Sequence, residues 1–141
     1  MEAMSTDEKT LTRNQMHEKL MICTYQYLFY MIANDEQTLD AIIDSVFGFE
    51  EPKYVDPFIR EGFLAIITYY LEAIDKLEPL LINWRFERLD LIEQAILILG
   101  YIEYKYLEIP KPVMINICVK LAQKYANDES YKFINAILEK I

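Results

Sequence analysis

The 141-residue sequence contains few of the residues that common functional sites require, with 3 Gly, 2 Cys and 1 His. Three scattered glycines cannot form a glycine-rich loop that cradles phosphate, and no nucleotide-binding glycine motif occurs. Cys23 and Cys118 each lie inside an apolar helical pattern, which argues against a disulfide framework and favours a reducing compartment. His17, the single histidine, would have to support any histidine-based acid–base or metal chemistry alone.

Long apolar stretches are also missing. The longest wholly apolar run spans residues 95–102, whereas a helix that crosses a bilayer needs about 20 apolar residues. Residues 1–13 are polar and of mixed charge, without the apolar centre of a signal peptide. We therefore expect a cytoplasmic protein with no membrane contact, in which residues 1–11 form a flexible segment and residues 12–141 form one domain.

Apolar residues are abundant and follow a helical spacing. They make up 53% of the chain, and in most segments they recur at intervals of three and four, which is typical of amphipathic helices. No segment has the pattern of a strand. The sequence therefore predicts an all-α fold of about six or seven helices joined by short loops.

Capping residues predict where several helices begin and end. Thr12 and Gln15 have the spacing of a capping box at the start of a first helix. Asp56 followed by Pro57 is typical of an N-cap with proline in the first turn. Gly48 stands where a left-handed C-cap is expected.

Other boundaries are predicted from weaker signals. Asn34 or Asp35 is expected to cap the second helix, and residues 127–128 the last one. Pro79 should end the third helix, with a separate short turn over residues 80–83. Residues 87–106 have almost no polar face in their middle, which indicates a buried central helix.

The first helix separates its residues onto different sides. Its apolar positions recur at three and four and should face the core. This spacing places Arg13, His17 and Tyr25 toward another side of the helix.

Charge is distributed unevenly along the chain. The formal net charge is −9, which by itself argues against a protein that wraps nucleic acid or lies on an anionic membrane. Residues 34–62 hold eight acids and two bases, a balance of −6, whereas residues 110–141 hold five lysines and three acids, a balance of +2. The excess of negative charge therefore belongs mainly to one region.

No catalytic constellation is found in the sequence. Cys23 lies about 240° around the helix from His17, so the two cannot form a thiol–imidazole dyad. Glu36, Asp40 and Asp44 recur at intervals of four and could hold a divalent cation weakly, or form a solvated acidic face, which their mutual repulsion favours. We expect neither an enzyme, nor a cofactor, nor a metal site.

From Asn83 onward, stretches such as NWRFERL at 83–89 and SYKFINAIL at 130–138 resemble the NusB family of bacterial transcription antitermination factors. The stretch SYKFINAIL at 130–138 is close to the family signature S-x-K-F-[VI]-N-[GA]-[VI]-L. Members typically open with arginines followed by Arg-Glu and, eight residues after that arginine, an aromatic residue; here Arg13, His17-Glu18 and Tyr25 stand in register. Further matching stretches are AIL at 95–97, IP at 109–110, IN at 115–116 and VKLA at 119–122.

The resemblance implies a fold of two three-helix bundles packed across one another. It also implies binding of boxA RNA from ribosomal operons together with the ribosomal protein NusE, as part of an antitermination complex on RNA polymerase, with no chemistry catalysed. The RNA-binding positions that carry over are Arg13, His17, Tyr25, Lys132 and Phe133. Cations and aromatic rings are the groups that hold single-stranded RNA, through phosphate neutralisation and base stacking.

Two acidic residues carry over as positions that the family uses toward NusE, Glu93 and Glu129. Other positions depart from the family pattern, because Asn14 and Gln15 stand where further arginines are usual, as does Ile98. Fewer cations should mean weaker and less salt-dependent RNA binding. The alternative is therefore a protein of the same fold that binds NusE or a second copy of itself and has reduced or lost RNA recognition.

Overall fold

Six α-helices make up most of the computed structural model, which describes residues 11–48 and 56–141. They are α1 (Arg13–Ile32), α2 (Leu39–Phe47), α3 (Pro57–Leu77), α4 (Leu91–Tyr106), α5 (Lys111–Tyr125) and α6 (Ser130–Leu138). Two one-turn 3₁₀ helices, Glu78–Leu80 and Phe86–Arg88, lie between α3 and α4. No strand occurs in these residues, so the predicted all-α class is confirmed.

Three predicted helix boundaries are confirmed by their hydrogen bonds or backbone angles. At the start of α1 the Thr12 hydroxyl accepts a bond from the Gln15 amide at 3.1 Å, and the Gln15 side chain accepts one from the Thr12 amide at 2.8 Å. At the start of α3 the Asp56 carboxylate accepts a bond from the Phe58 amide at 2.8 Å. At the end of α2, Gly48 has a φ of 81°, a conformation that favours glycine.

The predicted start of the second helix is wrong. Thr38 caps α2, because its hydroxyl accepts a bond from the Ala41 amide at 3.0 Å. Asn34, with a φ of 58°, lies in the left-handed region and belongs to the turn that ends α1. Both residues are good caps by type, and the hydrogen bond of Thr38 and the backbone conformation of Asn34 distinguish them.

Three other boundaries also differ from the prediction. The short turn near Pro79 covers Glu78–Leu80 rather than residues 80–83. Residues 87–106 form a 3₁₀ turn followed by a helix, rather than one helix. Helix α4 begins only after Asp90, whose amide donates a hydrogen bond to the Glu93 side chain at 3.3 Å. The last helix starts after Glu129 rather than directly after residues 127–128.

Helix α4 lies at the centre of the molecule, as the sequence predicts. Residues 95–102 are buried without exception, and α4 packs against α1, α3, α5 and α6. Helices α1–α3 form one three-helix bundle and α4–α6 the other. A helix with neighbours on all sides requires an almost wholly apolar surface, which explains its sequence.

Hydrogen bonds as well as apolar packing join the two bundles at the contact between α3 and α4. Glu72 of α3 accepts hydrogen bonds from the hydroxyls of Tyr101 and Tyr106 on α4, each at 2.7 Å. The Tyr69 and Tyr106 rings stack with centroids 3.9 Å apart. These contacts fix the orientation of α3 on α4.

The remaining predictions about organisation concern the cysteines, the membrane and the N-terminal segment. Cys23 and Cys118 are free and buried, as their apolar patterns predict. In the described ranges no helix is long and apolar enough to span a bilayer. The predicted flexible segment 1–11 lies, except for its last residue, outside the described residues.

Candidate RNA-binding surface

Arg13 and Tyr25 are both exposed on α1 but lie far apart along it. Arg13 is the first residue of the helix, and the distance to Tyr25 along the axis is about 18 Å at about 1.5 Å per residue. The Tyr25 side chain is 37% exposed, in agreement with the prediction that it points away from the apolar stripe. Helix α1 can therefore meet an extended ligand at two separate points.

Tyr25 lines a groove between α1, the start of α4 and the end of α5. We call this the tyrosine groove, and its volume is about 650 Å³. Its walls are mostly apolar, and two tyrosine rings belong to them. The lining residues are Met21, Ile22, Tyr25, Gln26, Asp90, Leu91, Ile92 and Tyr125.

Lys132 is exposed on α6 and belongs to a different depression. Its ammonium group lies 3.3 Å from a carboxylate oxygen of Glu129 and 6.0 Å from the centre of the Tyr131 ring. It lines a shallow recess of about 420 Å³ between α5 and α6, together with Tyr131 and Asn135. The structure therefore places Tyr25 and Lys132 in separate depressions.

Phe133 is half-buried on α6 and packs against the hydrophobic core. Its neighbour Ile134 is fully buried. Much of the Phe133 ring therefore serves packing, and only the remainder of its surface is accessible to a ligand.

The prediction that His17 points away from the core is wrong. His17 is 1% exposed, and its Nδ1 shares a hydrogen bond with a carboxylate oxygen of Glu103, which is fully buried on α4. The ring of Phe58 meets the imidazole edge-on at 5.1 Å between centroids. A side chain enclosed in this way has no surface with which to touch RNA, so we remove His17 from the predicted RNA contacts.

The Glu103 carboxyl has an unusual environment because it lies in the core. Burial raises its pKa above the ordinary value, and the hydrogen bond and charge of His17 act in the opposite direction. Its second oxygen accepts no hydrogen bond from the described residues. Glu103 and His17 are therefore a buried polar pair that joins α1 to α4.

The two acidic residues predicted to face NusE lie near each other at the starts of α4 and α6. Glu93 accepts hydrogen bonds from the Ser130 hydroxyl at 2.6 Å and from the Asp90 amide at 3.3 Å. Glu129 precedes Ser130 and is exposed. Glu93 therefore supports the local structure as well as presenting a carboxylate, whereas Glu129 pairs with Lys132 and keeps most of its surface exposed.

Three residues form a contact between α1 and α5 that the sequence does not predict. The Glu18 carboxylate accepts a hydrogen bond from Lys124 at 2.7 Å and another from the Tyr125 hydroxyl. These bonds, the one from Lys124 first, lower the pKa of Glu18. We call the three residues the α1–α5 clamp, and through Tyr125 it reaches the tyrosine groove. No sequence signal could have found it, since the partners are 106 residues or more apart.

Comparison with known proteins identifies the family. The model of the NusB family matches residues 34–141. The chain belongs to the NusB family. The transcription antitermination protein NusB of Macrococcus caseolyticus is 36% identical over 114 residues, which cover 81% of this chain and 87% of that protein.

Other NusB proteins extend the match to nearly the whole chain. NusB of Listeria innocua is 32% identical over 132 residues, which cover 93% of this chain and 96% of that protein. Among solved structures, T. maritima NusB has a TM-score of 0.80 at 21% identity and covers 93% of this chain and 90% of its own. A chain in the crystal structure of a plectonemic RNA supercoil has a TM-score of 0.76 at 20% identity, with coverage of 92% and 94%. The arrangement of two three-helix bundles is therefore the NusB fold.

Proposed function

We propose that this chain is a transcription antitermination factor that binds boxA-like single-stranded RNA of ribosomal operons together with the ribosomal protein NusE, in an antitermination complex on RNA polymerase. The observation that carries the proposal is membership of the NusB family, with antitermination proteins aligned over as much as 94% of the chain. The proposed role is binding, without catalysis and without a cofactor.

The proposed RNA contacts combine cations with aromatic rings. Arg13 and Lys132 are exposed cations that can neutralise phosphates. Tyr25 presents an accessible ring in the tyrosine groove, on which an unstacked base can lie. The exposed part of Phe133 can add apolar contact beside Lys132. Because these residues occupy separate depressions, the RNA would extend across the surface rather than enter a single pocket.

The proposed NusE contacts are acidic. Glu129 is exposed at the start of α6. Glu93 lies near it, because its carboxylate accepts a hydrogen bond from Ser130, the residue that follows Glu129. Exposed carboxylates of this kind favour a partner surface that carries Lys or Arg side chains. We therefore expect Glu129→Lys to weaken NusE binding, because it reverses the charge at the proposed interface.

Fluorescence anisotropy with labelled boxA RNA tests the proposal directly. We expect binding of the purified protein at modest salt, stronger when purified NusE is present. Tyr25→Ala should weaken this binding by roughly 5-fold or more, because a stacked base is lost. Absence of RNA binding, both with and without NusE, would rule out the proposed function.

A second candidate is a protein-interaction module that has kept the NusB fold and lost RNA recognition. The observation that favours it is the burial of His17, which leaves Arg13 as the one cation of the expected pair on α1, in a chain of net charge −9. This candidate predicts binding of NusE, or a homodimer, without RNA binding. Analytical ultracentrifugation with and without NusE distinguishes these two assemblies.

A further inference from the structure

The tyrosine groove has a second aromatic wall besides Tyr25. Tyr125, the last residue of α5, lines the groove from the opposite bundle. Its side chain is 39% exposed, close to the 37% of Tyr25. Both rings are therefore accessible from the same open space, which is lined elsewhere by apolar side chains such as Ile22 and Leu91.

The Tyr125 ring is held in place by the α1–α5 clamp. Its hydroxyl donates a hydrogen bond to Glu18, and Lys124 donates to the same carboxylate at 2.7 Å. The Lys124 ammonium also lies 5.4 Å from the centre of the Tyr125 ring. A ring anchored at its hydroxyl has fewer orientations to lose when a ligand stacks on it, so less of the binding free energy is spent on ordering it.

We propose that Tyr125 is a second base-stacking residue, which together with Tyr25 receives one nucleobase of single-stranded RNA in the tyrosine groove, and that Glu18 is its positioning residue. The inference rests on the proposed function, since it specifies where that RNA is held. Two rings beside apolar side chains suit the flat apolar faces of a base. Gln26, which also lines the groove, has an amide that can donate to or accept from the edge of a base.

The chemistry at the rim also fits a nucleotide. Lys124 is exposed on the side of the ring, where it can approach a phosphate. The carboxylate of Glu18 is already paired with this lysine and with the Tyr125 hydroxyl, which reduces its repulsion of the RNA backbone. A base in the groove with its phosphate near Lys124 would use each of these groups.

Variants of Tyr125 test the stacking role by anisotropy with boxA RNA, in the presence and absence of NusE. We expect Tyr125→Ala to weaken RNA binding by roughly 5- to 100-fold. Tyr125→Phe should weaken it less, because the ring remains while the bond to Glu18 is lost. Tyr125→Leu keeps apolar packing without an aromatic face. It should weaken RNA binding by a similar factor, and it tests the stacking role even if the alanine variant is poorly folded.

Tyr104 offers a matched control. It has the same exposed fraction as Tyr125, 39%, and also lies beside a lysine, Lys111, with the ammonium 5.9 Å from the ring centre. It does not line the tyrosine groove. We therefore expect Tyr104→Ala to bind RNA like the unmodified protein.

A fluorescent base separates stacking from a merely structural role. In a set of RNAs that each carry 2-aminopurine at a different position, the unmodified protein should strongly quench the fluorescence of one of them. Tyr125→Ala should abolish this quenching, and Glu18→Gln should reduce it. If the unmodified protein binds no RNA, the proposed function itself fails. A different result would overturn only the role of Tyr125. In that case the unmodified protein binds RNA and Tyr25→Ala weakens the binding, but Tyr125→Leu changes neither the affinity nor the quenching.

Discussion

Arg13 and His17 lie about one helical turn apart at the start of α1, and their surroundings are opposite. Arg13 is exposed, whereas His17 is buried and bonded to Glu103. Removing the imidazole would leave the Glu103 carboxyl buried without its partner, which typically costs about 3 kcal/mol or more. We expect His17→Ala to lower the free energy of unfolding by about that amount and Arg13→Ala by less than about 0.5 kcal/mol, as measured by urea denaturation.

RNA binding should separate the same two variants in the opposite sense. Arg13→Ala removes a cation that can neutralise a phosphate, so it should weaken the affinity. His17→Ala, measured where it is still folded, keeps every proposed RNA contact and should bind nearly as well as the unmodified protein. An equal loss of affinity in both variants would show that His17 reaches RNA and would contradict the argument from burial.

Glu103 should make the stability of the fold depend on pH. Burial raises the pKa of this carboxyl above its ordinary value of 4.5. A group whose pKa is raised by folding stabilises the fold fully below its unfolded pKa, and this contribution is lost as the pH rises through the folded pKa. We expect the stability of the unmodified protein to fall relative to that of Glu103→Gln as the pH increases, by up to about 1.4 kcal/mol per pH unit.

Urea denaturation of both proteins between about pH 5 and pH 8 measures this difference. Glu87→Gln is a suitable control, because the Glu87 side chain is 72% exposed and lies outside the core. Its stability should follow that of the unmodified protein across the range. A difference between the unmodified protein and Glu103→Gln that stays constant with pH would exclude the proposed protonation change.

At the scale of the elements, Gly100 sets how closely α4 approaches α5 and α6. A β-carbon at this position would lie 3.0 Å from the Cys118 sulfur, 3.1 Å from a Leu138 methyl and 3.1 Å from the Met114 sulfur. Alanine would gain up to about 1 kcal/mol in helix propensity, but overpacking typically costs about 1–3 kcal/mol. We expect a net loss of about 1 kcal/mol for Gly100→Ala in chemical denaturation.

A double-mutant cycle tests the cause of that loss. Cys118→Ala removes one of the atoms that Gly100→Ala would meet, so the double variant should be more stable than the sum of the two single effects predicts. If the two effects on stability are strictly additive, the alanine at position 100 does not press on the Cys118 side chain, and this explanation of the loss is wrong.

Helix starts show how far local sequence predicts an element. The start of α1 follows from Thr12 and Gln15, because both members of the capping box are within one turn of chain and act only on each other. The predicted start of α2 is three or four residues too early, because Asn34 and Thr38 are both good caps by type. Backbone conformation decides between them, and it is not encoded in residue type alone.

Contacts between elements are the part of the site that sequence does not predict. The bond between His17 and Glu103 joins residues 86 positions apart, and the bond between Glu18 and Lys124 joins residues 106 positions apart. Each side chain looks like an ordinary polar residue of a helix until its partner is known. The exposed ring of Tyr25 was predicted because its position relative to the apolar stripe depends on one helix alone.

At the scale of the whole molecule, charge limits how RNA can be bound. The net charge of −9 repels phosphate at long range, so attraction must come from a few nearby cations. Two of the lysines near the proposed surface are already engaged, Lys124 with Glu18 and Lys132 with Glu129. RNA binding should therefore depend more on stacking than on phosphate neutralisation.

This balance predicts a shallow dependence of RNA affinity on salt. Each neutralised phosphate of a single strand contributes about −0.7 to the slope of log K against log salt concentration, so two or three contacts give about −1.4 to −2.1. Anisotropy titrations between about 50 and 300 mM KCl measure the slope. Arg13→Ala should make it shallower by about 0.7, whereas Lys105→Ala, at the far end of α4, should leave it unchanged. A slope steeper than about −4 would require six phosphate contacts and would contradict an interface dominated by aromatic rings.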